Sequence, residues 1–224
     1  MIEYNETISC DEIDSLILNM KVGNIVVHKR EGNNITIKGS LGRLCKRFTL
    51  NRVNNEMKIQ QVVNLFPIKF GSPNLVNVTI GIPAGLKNIK IKHELGHLDI
   101  KYIEIQEVEI GLIAAELLVD DIFCDYLNVK VGTKTANIRL HRKCGDINIH
   151  SRSGKFNLDL REVGGNLKCS AGSRGGNIKI PKDSKVMVSK RGVRKDKVNT
   201  VSTKNYMYKF DLIANLGVIN VDYS

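Results

Sequence analysis

The segment of this 224-residue chain whose residue types and spacing spell a known chemistry is His93-Glu94-Leu95-Gly96-His97. On a helix, two His four positions apart lie one turn from each other, hold a zinc ion and leave the Glu to polarise a water, as in metallopeptidases. The flanks argue against a helix. Ile89 and Ile91 precede the segment and Leu98 and Ile100 follow it, an alternation of period two that marks strands. Aligning Gly96 with Gly145 puts His93 on Arg142, Glu94 on Lys143 and His97 on Asp146, so both His fall in slots where a related segment carries unrelated polar residues. The favoured reading is a turn at His93-Glu94 and an outward strand residue at His97, with a zinc metallopeptidase as the remote alternative.

Other candidate chemistry is weaker. Gly172-Ser173-Arg174-Gly175-Gly176 offers backbone amides to a phosphate but lacks the following Lys-Ser/Thr and the helix N-terminus of a phosphate loop, so it reads as a corner. No nucleophile elbow accompanies the Ser, His and Asp residues. The carboxylates from 104 to 125 read as outward, solvated strand residues, and the Gly-Gly-x-Gly-x-Asp pattern of calcium-binding rolls is missing. The expectation is no enzyme, no catalytic or metal-binding residue and no cofactor.

Charge gives a second kind of candidate. The formal net charge is +11, yet residues 101–125 carry net −6 and residues 126–224 carry 20 Lys and Arg against 7 Asp and Glu. Within Lys190-Arg191-Gly192-Val193-Arg194-Lys195-Asp196-Lys197, the residues Lys190, Arg191, Arg194, Lys195 and Lys197 are candidate contacts for an anionic polymer or lipid surface. No recognition module and no interleaved aromatics accompany them, so specific nucleic-acid recognition is not expected. Another protein is the other partner considered.

The elements that position these residues follow from an internal repeat: Gly, a small polar residue, then apolar, any, apolar. Copies stand at Gly23-Asn24-Ile25-Val26-Val27, Gly96-His97-Leu98-Asp99-Ile100, Gly145-Asp146-Ile147-Asn148-Ile149, Gly165-Asn166-Leu167-Lys168-Cys169 and Gly176-Asn177-Ile178-Lys179-Ile180. Strand centres recur about every ten residues, so two strands per turn predict coils of about twenty. Within a copy, alternation points Ile147 and Ile149 inward and Asp146, Asn148 and His150 outward. The initial Gly is expected to supply a positive φ at each corner. A run at Leu112 to Leu118 is ambiguous between helix and strand. The composition agrees with an all-β chain, for 42% of residues are apolar, only 5% are aromatic, and Ile and Val dominate the structured segments.

The five Cys (Cys10, Cys45, Cys124, Cys144, Cys169) form no CxxC pair and read as reduced core thiols. The first residues hold Glu3, Glu6, Asp11 and Glu12 and no apolar run, so no signal peptide is read there. No stretch is apolar enough for a membrane-spanning helix. The location is left open between cytoplasmic and envelope-associated, and so is the oligomeric state.

With the repeated Gly-Asp-Ile-Asn-Ile rung through 96–180, the preceding Ile80-Gly81-Ile82-Pro83 and the Gly23-Asn24-Ile25-Val26-Val27 strand, the sequence resembles the bacterial "putative-adhesin" family of β-strand-repeat domains. The resemblance implies a β-helix-like fold, no known catalytic residues, and adhesion at the bacterial envelope. The expected architecture is therefore all-β, a parallel β-helix or solenoid of short strand repeats. It forms one domain over 1–224: N-terminal, partly antiparallel strands and cap (13–85), short repeats (86–181), and a basic loop with C-terminal strands serving as a cap (182–224). The expected role is a non-catalytic binding or structural module of the cell envelope, the alternative being an intracellular scaffold or regulator in an envelope-stress pathway.

Overall fold

Short alternating runs of Ile, Val and Leu have one apolar side each and cannot bury it alone, so they stack. The computed structural model describes residues 2–42, 45–63, 76–192 and 205–224, and no helix occurs among them. The first strands are β1 (Ile2–Ser9), β2 (Ser15–Arg30), β3 (Asn34–Leu41), β4 (Cys45–Val53), β5 (Glu56–Val63) and β6 (Asn77–Pro83). Then come β7 (Asn88–Glu104), β8 (Glu107–Phe123), β9 (Tyr126–Val131), β10 (Thr135–Leu140), β11 (Asp146–Ser151) and β12 (Lys155–Leu160). The last are β13 (Leu167–Ala171), β14 (Gly176–Ile180), β15 (Val186–Gly192), β16 (Tyr208–Ala214) and β17 (Ile219–Tyr223). The run that sequence left ambiguous lies in β8, and its side chains alternate in burial.

The strands make two faces. Face 1 stacks β5, the first halves of β2, β7 and β8, then β9, β11, β13, β16 and β15, all parallel. Face 2 stacks β6, the second halves of β2, β7 and β8, then β10, β12, β14 and β17, again parallel. The antiparallel pairings expected near the N-terminus are β1 with β3, β3 with β6 and β4 with β5. Successive rungs are offset by 19 residues from β7 to β8 and from β8 to β9, and by 20 from β9 to β11 and from β11 to β13. The twenty-residue coil is thus realised. Two excursions interrupt it without breaking register. From β2 to β7 the offset is 73, with β3 to β6 formed on the way, and from β13 to β16 it is 43, with β15 on the way. Parallel rungs therefore reach from β2 to β17, beyond the stretch with the clearest repeats.

Inward residues line up in columns and form a single core cluster shared by both faces. On face 1, Leu18, Ile91, Ile110, Val129, Ile149, Cys169 and Leu212 lie one above another. On face 2, one column reads Ala136, Phe156, Gly176. The buried Phe156 ring takes space that both neighbours leave, and a Cβ on Gly176 would fall 2.3 Å from it. Ile147 and Ile149 point inward and Asp146, Asn148 and His150 outward, as alternation requires.

The glycines act differently from the expectation. Gly23, Gly96 and Gly175 have positive φ, but Gly145, Gly165 and Gly176 do not. The latter are needed because another chain segment passes where a side chain would begin; a Cβ on Gly145 would lie 2.1 Å from the carbonyl oxygen of Asp125. The general requirement is close stacking of coils, and left-handed backbone is confined to some corners.

The Ala-Phe-Gly column gives a test. Gly176→Ala is expected to destabilise the fold by about 1–3 kcal/mol through overpacking. Phe156→Leu in the same chain should recover part of that loss, because the two residues touch. Urea unfolding of the two single variants and the double variant measures the coupling, and strict additivity would refute the packing account.

Candidate functional site

The zinc signature is taken apart by the fold. It runs through β7, where the chain passes from face 1 to face 2, and no helix forms. His93 is 0% exposed, whereas His97 is exposed, pointing outward with Nδ1 3.2 Å from Glu116 Oε2. Glu94 forms an ion pair with Lys21. The two imidazoles cannot share one ion, and among the described residues no cluster of three or more His, Cys, Asp or Glu could hold a metal.

His93 also corrects the sequence alignment. It is not a turn residue; it stacks in register between Met20 and Leu112, in the inward column at the corner joining the faces. Its Nε2 lies 3.1 Å from the Gly23 carbonyl oxygen and its Nδ1 3.4 Å from that of Met20. A neutral imidazole has one N–H and donates to one of them. Burial holds its pKa below the ordinary 6.5, against the pull of the two carbonyls. Gly96 pairs with Gly23 on face 2, while Gly145 starts a face 1 strand. Matching Gly96 to Gly145 therefore compares two different corners.

At the second corner, the acidic segment supplies a structural carboxylate rather than a solvated one. Asp121, 6% exposed and with φ of 65°, accepts a hydrogen bond from the His141 backbone N–H at 3.1 Å and pairs with Arg142 Nε at 2.9 Å. The Arg142 guanidinium lies 5.2 Å from the centre of the Phe123 ring. These contacts tie one coil to the next.

The outward side of face 2 is the best candidate for binding. Asn137, Asn157, Asn177 and Asn220 form a column in which each amide donates to the side-chain oxygen of the preceding Asn, at 2.8, 2.9 and 3.1 Å. Each inner Asn keeps one N–H and one lone pair for an external partner. Beside it runs Lys101, Asp120, Arg139, Asp159, Lys179 and Asp222, one residue per rung and alternating in sign. Arg139 and Asp159 approach to 3.8 Å. Together these columns line a shallow groove of about 660 Å³, rimmed by Leu118. Its charges sum to zero, so this face offers donors and acceptors at the rung spacing, about 4.8 Å, without a net field.

Residues 7–203 match the family described as Toastrack DUF4097. The chain belongs to this family. The Toastrack fold is the β-solenoid-like architecture described above. A "putative adhesin" of Bacteroides fragilis is similar in structure, with a TM-score of 0.54, 15% identity, and coverage of 98% of this chain and 97% of that one. A "putative adhesin" of Parabacteroides merdae has a TM-score of 0.49 at 11% identity, covering 98% and 95%. A "putative lipid binding protein" of Parabacteroides distasonis has a TM-score of 0.48 at 11% identity, covering 98% and 96%. No curated protein sequence matches the chain. At 15% identity the likeness to the Bacteroides fragilis protein speaks for the fold alone, and no helix among the described residues is long and apolar enough to cross a membrane.

The basic stretch is only partly in view. Lys190 and Arg191 lie in β15 at the edge of face 1, where burial lowers the Lys190 pKa and Arg191 pairs with Asp211 at 3.4 Å. Arg194, Lys195 and Lys197 lie outside the described residues. Reading the sequence for charge runs missed the alternating column of this Toastrack chain, whose members are 19 or 20 residues apart from Lys101 to Lys179 and 43 apart from Lys179 to Asp222, and coincide only once the coil path is known.

Two outcomes are expected. A His93 pKa below its unfolded value means that the unfolded chain binds a proton the native state refuses, so stability falls as pH drops below about 6.5. In His93→Leu, thermal unfolding between pH 7 and pH 5 should show a smaller loss than in the parent, and an equal loss in both would refute the assignment. Asp121→Ala should cost about 1–3 kcal/mol by leaving the His141 N–H without its acceptor and Arg142 without its ion pair, as measured by denaturant midpoint.

Proposed function

We propose that this Toastrack chain is a non-catalytic binding module, a single domain over 1–224, acting in an adhesin-like role at the bacterial cell envelope with face 2 as its contact surface. The observation that carries this reading is the pairing of the asparagine column with the alternating charge column along one groove. Catalysis needs unlike groups converging on one point. Here like groups repeat along a line, which suits an extended partner that meets the same donors and acceptors at each rung. An envelope polymer with regularly spaced hydrogen-bonding groups is such a partner. Lys190, Arg191, Arg194, Lys195 and Lys197 are proposed as a secondary, salt-sensitive attraction to an anionic surface.

Sedimentation of the purified chain with cell-wall polymer, with anionic vesicles and with neutral vesicles tests the reading. Wall binding is expected to persist at about 0.5 M salt, where screening reduces the range of charge to about 4 Å. It should weaken roughly tenfold in the Asn157→Leu, Asn177→Leu double variant, as loss of one or two hydrogen bonds implies. Binding lost with salt and indifferent to those substitutions would reject face 2. Cell fractionation checks the location, and recovery of all the protein in the cytosol would reject the envelope role.

A further inference from the structure

The sulfur atoms of Cys124 and Cys144 are 3.2 Å apart, and both thiols are buried, at 3% and 2% exposure. They follow the ends of β8 and β10 and occupy the same place at the second corner on consecutive coils. The Gly145 N–H donates to the Cys124 carbonyl at 2.8 Å, and the Asp146 N–H to that of Asp125 at 2.9 Å. The two backbones are therefore laddered neighbours, about 4.8 Å apart, inside the window of about 4.4–6.8 Å that a disulfide spans. Cys10, Cys45 and Cys169 have no such partner among the described residues; Cys45 meets a carbonyl oxygen and Cys169 stacks between Ile149 and Leu212.

We infer that Cys124 and Cys144 are a modification site, a dithiol that a hydroperoxide converts into an inter-coil disulfide. The contact at 3.2 Å lets either thiol donate its hydrogen to the other sulfur. The accepting sulfur, as thiolate, attacks a peroxide oxygen, the O–O bond breaks, and hydroxide leaves as a sulfenic acid forms on that Cys. The second sulfur gives up its proton and attacks the first, and the sulfenic oxygen departs as water. Two thiols and one hydrogen peroxide become one disulfide and two waters, the sulfurs losing the two electrons that reduce the peroxide. Bond formation brings the sulfurs from 3.2 Å to about 2.0 Å. The product staples two coils at the corner that Asp121 and Arg142 already hold.

The full-length protein, treated native with hydrogen peroxide, is digested without reduction and analysed by mass spectrometry, while a parallel sample is followed by thermal unfolding. A Cys124–Cys144 cross-linked peptide, lighter by two hydrogens than the separate peptides, is expected, with a rise of about 5–10 °C in Tm that dithiothreitol reverses. Cys144→Ser should give neither. Absence of the cross-link in the native parent, or an equal peroxide-induced rise in Cys144→Ser, would overturn the inference; the peptide map of the parent stands even if the variant folds poorly.

Discussion

Everything in this structure depends on in-register stacking of coils of constant length. A strand of five or six residues offers two or three inward side chains, too few to stand alone, and each becomes buried only when the rungs above and below present aliphatics at the same place. Because side chains alternate with period two, a slip of one residue would turn every inward Ile outward. That is why both long excursions return to register, and why glycine stands where two coils approach most closely. Among the described residues, β1 and β4 at one end of the stack and β15 and β17 at the other have a single strand neighbour each. Lys190 and Arg191 on β15 are the kind of edge charge that discourages further pairing.

The same constraint explains what could be read from the sequence. Alternation, rung spacing and the all-β architecture were legible because they are local: Ile147 and Ile149 declare their side in any window of five residues. The corners were not. The strands of the two faces follow the same Gly, polar, apolar pattern, so nothing local distinguishes Gly96, which enters face 2 within a continuous strand, from Gly145, which enters face 1 after a turn. Equating the two corners moved His93 from a buried column into a turn. The zinc signature fails under either alignment, because neither makes the helix that would bring the two His together. Asp121 was misjudged for a related reason: its left-handed backbone lets it turn in toward the next coil, and alternation alone cannot announce that.

Charge shows the difference between sequence order and spatial order most plainly. Residues 101–125 are net −6 and the following part of the chain is basic, which suggests two opposed patches. In the stack, the acidic segment is little more than one rung, and its neighbours face it at the spacing of a strand. Asp120 lies between Lys101 and Arg139, and Asp159 between Arg139 and Lys179. Single charges about one coil apart thus become an alternating column, whatever the net charge of the segments that supply them.

This transposition bears on function. In a solenoid, residues one coil apart become neighbours, so a recurring residue becomes a line of identical groups, and the side chains on one strand fan out instead of converging. Such a surface is poor at assembling a nucleophile, a base and an oxyanion donor around one atom. It is good at holding donors and acceptors at fixed intervals, because the hydrogen-bonded rungs set those intervals and the partner need not order them. The Asn137-Asn157-Asn177-Asn220 column illustrates the advantage: its amides are already oriented by one another, so a partner binding there meets side chains whose conformational freedom was lost on folding rather than on association. The stacking that gives the chain its core thereby also preorganises its outer surface.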